Sequence, residues 1–170
     1  MQIMHATVRF IDAFTERSGR LLAWLSLAMA LLTAIIVLLR YGFNVGSITS
    51  QEAVTYMHGC LFMLGAAYTL KTDRHVRVDI FYQRFNTRTR AWVNSLGGIV
   101  FLLPLCIFIV GISWSYVTES WAIREHSPEP GGIPAVFLLK TLLPLMALNL
   151  LLQGTAETLR NTLILMGESD

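Results

Sequence analysis

Long apolar segments alternate with short polar segments along this chain. Residues 21–39, 53–70 and 91–117 contain no Asp, Glu, Lys or Arg, and residues 133–152 contain only Lys140. At a helical rise of about 1.5 Å per residue, these segments are roughly 27–40 Å long, against a hydrocarbon core of about 30 Å. Only a helix satisfies its own backbone hydrogen bonds across such a distance. The pattern therefore predicts an all-α polytopic membrane protein, a single membrane domain with four transmembrane helices.

Two further segments have an amphipathic helical pattern. In residues 3–18 the apolar side chains share one helical face, and Arg9, Asp12 and Glu16 lie largely opposite. Such a segment is typical of a helix that lies in the membrane interface before the chain turns into the bilayer. After the second span, a short interfacial helix is predicted from four apolar positions at i, i+3, i+4 and i+7: Val78, Phe81, Tyr82 and Phe85. Asn86 is expected to cap the helix that follows.

The third apolar segment is too long for an upright crossing. We expect it to tilt, to extend toward Trp121 or to bend near Pro104. The loop that follows, residues 118–132, contains two prolines and two glycines, so it is predicted to be irregular, and Pro134 suits the first turn of the last span. This loop is either a plain connector or, because of its Trp and mixed charges, a docking surface.

Basic residues are distributed unequally between the two sides of the predicted membrane domain. The N-terminus, the loop at residues 71–90 and the C-terminus share one side, which contains ten of the 13 Lys and Arg residues. Basic residues near span ends are retained in the cytoplasm. The sequence therefore predicts a multi-pass protein of the bacterial inner membrane with both termini in the cytoplasm and residues 118–132 in the periplasm. The arginines are dispersed at span ends, which favours lipid headgroups over nucleic acid as their partner.

Enzyme chemistry is not indicated. There is no P-loop and no dinucleotide-binding fingerprint, which argues against ATP hydrolysis by this chain. Cys60 and Cys106 both lie inside spans, whereas a thiol oxidoreductase needs exposed cysteine pairs. A bis-histidine haem site needs two facing imidazoles, and only His58 lies inside a span. We therefore predict no catalytic residue, no cofactor and no metal site.

Two charged residues lie near the predicted outer face. The Lys140 ammonium is expected either to extend outward along its own stem or to face Glu52 or a group on a partner protein. Glu52, Tyr56 and Gly59 form one stripe of the second span with Met63 and Ala66, and such a stripe suits close helix packing. One lysine and one glutamate near a helix end do not form a continuous ion path, so a pore is not predicted.

Several segments resemble one transporter family. These are Arg40-Tyr41, residues 47–52, residues 71–82 and the Glu-Pro-Gly-Gly-Ile-Pro segment at 129–134, which is followed by Lys140 and Pro144. Together they are similar to the small, DctQ-type membrane subunit of tripartite ATP-independent periplasmic (TRAP) transporters. Residues 75–82 are the most specific part of the resemblance, and they include His75, Arg77, Asp79 and Phe81, which we treat as candidate interface or structural residues.

The resemblance implies a function in a multi-subunit transporter. Such a subunit pairs with a large permease subunit of about a dozen spans, which contains the substrate and sodium sites, and a periplasmic binding protein delivers the substrate. The small subunit would then support and anchor the permease during uptake of an organic acid driven by an ion gradient. Two alternatives are the small membrane subunit of a tripartite tricarboxylate-type transporter and the haem-binding membrane anchor of a respiratory enzyme.

Overall fold

The fold is a bundle of long helices. A computed structural model describes residues 2–75, 82 and 84–167 of the chain. The helices are α1 (Gln2–Phe43), α2 (Ile48–Lys71), α3 (Thr87–Gly97), a π-helical turn (Gly98–Leu102), α4 (Leu103–Ala122) and α5 (Val136–Leu165). The segment from α3 to α4 is one continuous helix, so the described part of the chain has four helices that are long and apolar enough to cross a membrane. The prediction of an all-α protein with four spans is confirmed.

Helix α5 is the centre of the bundle. It contacts α1, α2, α3, the π-helical turn and α4, and α1 also packs along α2. Asp12 of α1 and Arg160 of α5 form an ion pair, so the start of α1 and the end of α5 lie at the same end of the bundle. We call this the terminal end. The opposite end, which contains the connections 44–47 and 123–135, is called the loop end.

Helix α1 differs from its prediction. It runs from Gln2 to Phe43 without a break, so the predicted turn between residues 3–18 and the first span is wrong. Val8 and Ile11, which belong to the predicted lipid-facing surface, are buried in the bundle instead. The helix continues through Gly19, and Tyr68 of α2 packs closely there: a Cβ atom at this position would lie 2.4 Å from Tyr68 Cδ2. The position of residues 3–18 at a membrane surface stays a prediction.

The start of α3 agrees with its prediction. Asn86 has an extended backbone, and its Oδ1 accepts a hydrogen bond from the Thr89 amide at 2.8 Å, so the predicted cap is confirmed. The predicted interfacial helix before it includes Val78 and Phe81, which lie outside the described residues. Tyr82, from the same segment, donates a hydrogen bond to Asn94 of α3 at 3.1 Å.

The third span combines extension with a change of helical geometry. It continues to Ala122, past Trp121, as predicted. Near Pro104 the chain forms the π-helical turn, in which the Leu103 amide donates to the Gly98 carbonyl five residues earlier. Proline lacks an N–H and its ring crowds the carbonyl four residues before it, so a wider turn relieves the contact. Gly98 also permits close packing on α5, because a Cβ atom there would lie 2.5 Å from Thr158 Oγ1.

The last span begins later than predicted. Helix α5 starts at Val136, so Pro134 lies in the preceding connection and not in the first helical turn. The connection folds back on itself instead, since the Val136 amide donates to the Glu125 carbonyl at 3.1 Å. This contact closes residues 125–136 into a compact loop over the loop end of α5.

Replacing Gly19 by Ala should destabilise the bundle. The added methyl group would overlap Cγ and Cδ2 of Tyr68, and both atoms are close to the backbone and have little room to move. Overpacking of this kind costs about 1–3 kcal/mol. The matched control is Gly111→Ala on α4, where a Cβ atom has no neighbour within 4 Å. The free energy of unfolding of this control should rise by up to about 1 kcal/mol, because Ala has a higher helix propensity than Gly. Thermal unfolding of the purified variants in detergent measures both effects, and equal melting temperatures would contradict the packing of α1 on α2.

Candidate functional site

Polar side chains come together at the terminal end between α1 and α5. We call Asp12, Thr15, Gln153, Glu157 and Arg160 the terminal-end cluster. Gln153 is fully buried. Its Oε1 accepts a hydrogen bond from Thr15 Oγ1 at 2.7 Å, and its Nε2 donates to Asp12 and Glu157, each at 3.1 Å. A buried amide is costly unless its hydrogen bonds are made, and here three of them are.

Arg160 completes this cluster. Its guanidinium donates to Asp12 Oδ2 and Glu157 Oε1, each at 2.5 Å. Asp12 thereby contacts Gln153 through one oxygen and Arg160 through the other. The contacts join α1 to the last turns of α5, beyond residue 152, where the apolar segment ends. The arrangement fixes helices in position, and we find in it no nucleophile paired with a base.

A second ion pair joins α1 to α2 at the same end. Glu16 accepts from Lys71 Nζ at 2.7 Å and from Arg20 at 2.9 Å. Beside it, a cavity of about 440 Å³ lies between α2, α3 and α5, lined in part by Lys71, Asn94 and Arg160. In the described part of the chain, no group of three or more His, Cys, Asp or Glu side chains could hold a metal ion.

At the loop end, Glu52 holds the connection between α4 and α5. Its carboxylate accepts a hydrogen bond from the Ser127 hydroxyl and another from the Ile133 amide, the latter at 2.6 Å. Thr49, one turn earlier on α2, donates to the Gly131 carbonyl at 2.5 Å. The first turn of α2 therefore binds the loop over residues 127–133. We call Glu52, Ser127, Ile133, Glu125 and Lys140 the loop-end cluster.

Lys140 pairs with a different carboxylate from the one predicted. Its Nζ lies 2.5 Å from Glu125 Oε2 and 4.1 Å from the centre of the Tyr116 ring. The predicted pair with Glu52 is therefore wrong. Both Glu52 oxygens are occupied by the loop, and the fold of the loop places Glu125 next to Lys140. The lysine side chain is 18% exposed, and it reaches toward the loop end, where Glu125 binds its ammonium.

The contacts of Glu125 affect the pKa of its carboxyl. Lys140 donates to its carboxylate, as does the Ser120 hydroxyl at 2.6 Å. These contacts, the Lys140 hydrogen bond first, hold the pKa of the Glu125 carboxyl below its ordinary value. The carboxylate is therefore charged at neutral pH, and its charge is matched inside the subunit.

The other predicted candidates are distributed along α2. Gly59 packs on α5, since a Cβ atom there would lie 3.1 Å from Leu139 Cδ1, so this part of the stripe makes a contact within the chain. Tyr56 is half-buried, and among the described residues its hydroxyl has no hydrogen-bond partner. His75 Nε2 lies 3.2 Å from both Thr69 Oγ1 and the Ala66 carbonyl at the end of α2. Arg77, Asp79 and Phe81 lie outside the described residues.

Sequence reasoning missed the terminal-end cluster. The predicted span ends at residue 152, where the apolar segment ends, whereas α5 continues to Leu165. The missed feature was complementarity: Gln153, Glu157 and Arg160 recur at helical spacing, and Asp12 and Glu16 recur at the same spacing on the N-terminal segment. Two polar faces of similar length predict a pair of contacting helices as well as they predict two exposed surfaces.

The Lys140–Glu125 pair should show strong coupling in a double-mutant cycle. Lys140→Met leaves the Glu125 carboxylate without its cation, and Glu125→Gln leaves the ammonium without its anion, so each single variant should melt below wild type. The melting temperature of the double variant should fall by less than the sum of the two single decreases, because both charges are removed together. Thermal unfolding in detergent at neutral pH measures the cycle. Purely additive losses would contradict the pairing.

The pH dependence gives an internal control for this cycle. A carboxyl whose pKa is lowered in the folded state contributes stability above its ordinary pKa, and that contribution disappears as the pH falls through the folded-state value. The difference in melting temperature between wild type and Glu125→Gln should therefore be full at neutral pH. It should narrow as the pH falls below 4.5, the ordinary value for this carboxyl.

Comparison with known proteins gives one consistent family. Residues 29–163 match the family described as tripartite ATP-independent periplasmic transporters, DctQ component. The chain is 29% identical over 127 residues to the C4-dicarboxylate TRAP transporter small permease protein DctQ of Vibrio cholerae serotype O1, covering 72% of this chain and 53% of that protein. It is 29% identical over 86 residues to a TRAP transporter small permease protein of Haemophilus influenzae, covering 51% of this chain and 53% of that protein.

The chain thus spans about half the length of the curated relatives it matches. No solved structure matches. The family match nevertheless includes most of the chain, with the second and third spans and all but the last two residues of the fourth, and the resemblance inferred from residues 71–82 and 129–134 agrees with it. The chain belongs to the family of DctQ components, the small permease subunits of tripartite ATP-independent periplasmic transporters, which are transporter subunits and not enzymes.

Proposed function

We propose that this protein supports and anchors a large permease subunit during ion-gradient-driven uptake of an organic acid or related solute. A periplasmic binding protein delivers the solute in this proposal, and sodium is the coupling ion. The observation that carries the proposal is the family match over residues 29–163. C4-dicarboxylates are the first substrates to test, because the Vibrio cholerae relative is named for them.

The distribution of polar groups supports an accessory function. The ion pairs given above lie in the terminal-end cluster, at Glu16 beside it, and at Lys140 in the loop-end cluster. Lys71–Glu16 and Arg160–Asp12 join two helices, Lys140–Glu125 joins a helix to the loop, and the other two pairs lie within one helix. A transported ion or acid needs coordinating groups along its path, and groups already paired within the fold do not offer them. Substrate binding is therefore assigned to the partner subunits.

The outer surface of the bundle suits a lipid environment. Large apolar side chains on α1 and α4 are more than half exposed, among them Leu21, Leu31, Leu105 and Phe108. Such a surface is stable in hydrocarbon and would not be stable in water. A subunit of this kind adds lipid-facing area to a membrane complex, which is the physical basis of anchoring.

We further propose that the terminal end is cytoplasmic and that the loop end is periplasmic, in the bacterial inner membrane. The basic residues concentrate at the terminal end, as retention of positive charge in the cytoplasm requires. The loop held by Glu52 and Lys140 would then face the side from which the binding protein arrives.

The topology can be tested with single cysteines in a variant that lacks Cys60 and Cys106. Phe85→Cys marks the terminal end and His126→Cys marks the loop end, and both positions are exposed and neither removes an Arg or Lys. An impermeant thiol reagent added to whole cells should label position 126 and not position 85. After permeabilisation both should be labelled. The reverse pattern in intact cells would contradict the proposed orientation.

Transport should require the whole complex. The purified protein alone, reconstituted into liposomes with an inward sodium gradient, should show no uptake of radiolabelled C4-dicarboxylate above empty liposomes. Addition of the large subunit and the substrate-loaded binding protein should produce uptake, and dissipation of the sodium gradient should abolish it. Uptake by this chain alone, or full activity of the large subunit without it, would overturn the accessory function.

A further inference from the structure

One stripe of α2 is open to the surroundings of the bundle. Gln51, Thr55, His58 and Phe62 are all exposed, and their spacing of four, three and four residues places them on one face of the helix. We call them the α2 outer stripe. It lies next to the stripe that contains Glu52 and Gly59, which faces inward onto the loop and α5. The predicted packing stripe of the second span is thus used within the chain, and the neighbouring face remains uncovered.

The polarity of this open stripe does not suit lipid. His58 lies ten residues after Ile48, the first residue of α2, which places it roughly 15 Å along the helix, near the middle of the bilayer. Among the described residues, its ring stacks on Phe62 with centroids 6.2 Å apart and makes no hydrogen bond. Ionisable side chains at this depth almost always face protein or water, because hydrocarbon offers them no hydrogen bond.

The other exposed faces of the bundle have a different character. Those of α1 and α4 are apolar at the same depth, with Leu27, Leu31, Phe108 and Ile112 more than half exposed. Helix α2 is the least hydrophobic of the four spans, yet almost none of its most apolar portion is buried within the chain. Helix α5, the next least hydrophobic span, is the most buried. Within this chain α2 packs on α1 and α5, and its outer stripe is the part that stays exposed, so in a complete assembly this stripe should also be covered.

We infer that the α2 outer stripe binds a transmembrane helix of the large permease subunit, which supplies a hydrogen-bonding side chain opposite His58. This inference rests on the proposed function for the identity of the partner. Gly65 extends the same face one turn further, and a Cβ atom there would have no neighbour within 4 Å. A helix can therefore approach closely at this point. Gln51, at the other end of the stripe, lies beside Glu52, so a helix bound here also reaches the loop end.

Photo-crosslinking in the assembled complex tests this surface directly. We would place p-benzoylphenylalanine at position 58 or 62, co-express the chain with its tagged large subunit, and irradiate the membranes. Position 108 on α4 is the matched control, because Phe62 and Phe108 are 70% and 63% exposed. Positions 58 and 62 should give a crosslinked product that contains the large subunit, and position 108 should not.

Alanine substitutions provide an independent measurement. Phe62→Ala should reduce the amount of co-purified large subunit by about threefold or more, as expected for loss of one interhelical contact in a membrane. Phe108→Ala, which removes an equally exposed ring of the same size, should leave co-purification unchanged. His58→Leu should weaken the association like Phe62→Ala, whereas His58→Asn, which can still form a hydrogen bond, should weaken it less.

Several results would overturn the inference. Equal crosslinking from positions 62 and 108 would mean that the stripe is not a preferred contact. A product that contains two copies of this chain would assign the stripe to self-association. If the complex co-purifies and transports normally while positions 58 and 62 give no crosslink, this surface is wrong and the accessory function stands. If the large subunit does not co-purify with wild type under any condition, the proposed function itself fails.

Discussion

The buried amide of Gln153 constrains the arrangement of the helices at the terminal end. It is fully enclosed, and its three hydrogen bonds reach Thr15 and Asp12 on α1 and Glu157 on its own helix. In a low-dielectric interior each of these bonds is costly to lose, so α1 has one position along α5 at which all of them form. Apolar side chains alone would permit α1 to slide, because lipid replaces their contacts at little cost. The amide and the Arg160 ion pairs therefore determine the register of the first and last helices.

At the loop end, polar contacts also hold segments of the chain in place, but here the acceptors are carboxylates. Two carboxylates, Glu52 from α2 and Glu125 from the loop itself, satisfy hydroxyl, amide and ammonium donors that would otherwise be unpaired close to the membrane. The loop of residues 123–135 is thereby attached to both α2 and α5. A connection between two spans that could have been mobile becomes a defined surface. Its shape depends on Glu52 and Lys140, which the sequence singled out as unusual without revealing their partners.

Much of this fold could be predicted from the sequence, and the reasons for the rest are physical. Apolar length determines where a chain can cross a bilayer, so the four spans were recognisable, as was the Asn86 cap, whose signal is local. The partner of Lys140 depends on how a loop with two prolines and two glycines folds back, and no local rule specifies that. The break predicted after residue 18 failed because Gly19 there permits contact with Tyr68 and does not end the helix. Membership of the transporter family came from motif resemblance, whereas periodicity could indicate only a membrane bundle.

The π-helical turn at Gly98–Leu102 has a consequence for how the length of this protein can change. A π turn holds one residue more than an α turn, and the helices on either side still present the same faces to their neighbours. Loss of one residue elsewhere in the helix from Thr87 to Ala122 would rotate everything beyond it by about 100°. Loss of one residue within the turn would restore regular winding and leave the outer surfaces of α3 and α4 in place, although Pro104 would then crowd the preceding turn. Single-residue deletions that persist in this span should therefore concentrate at residues 98–102.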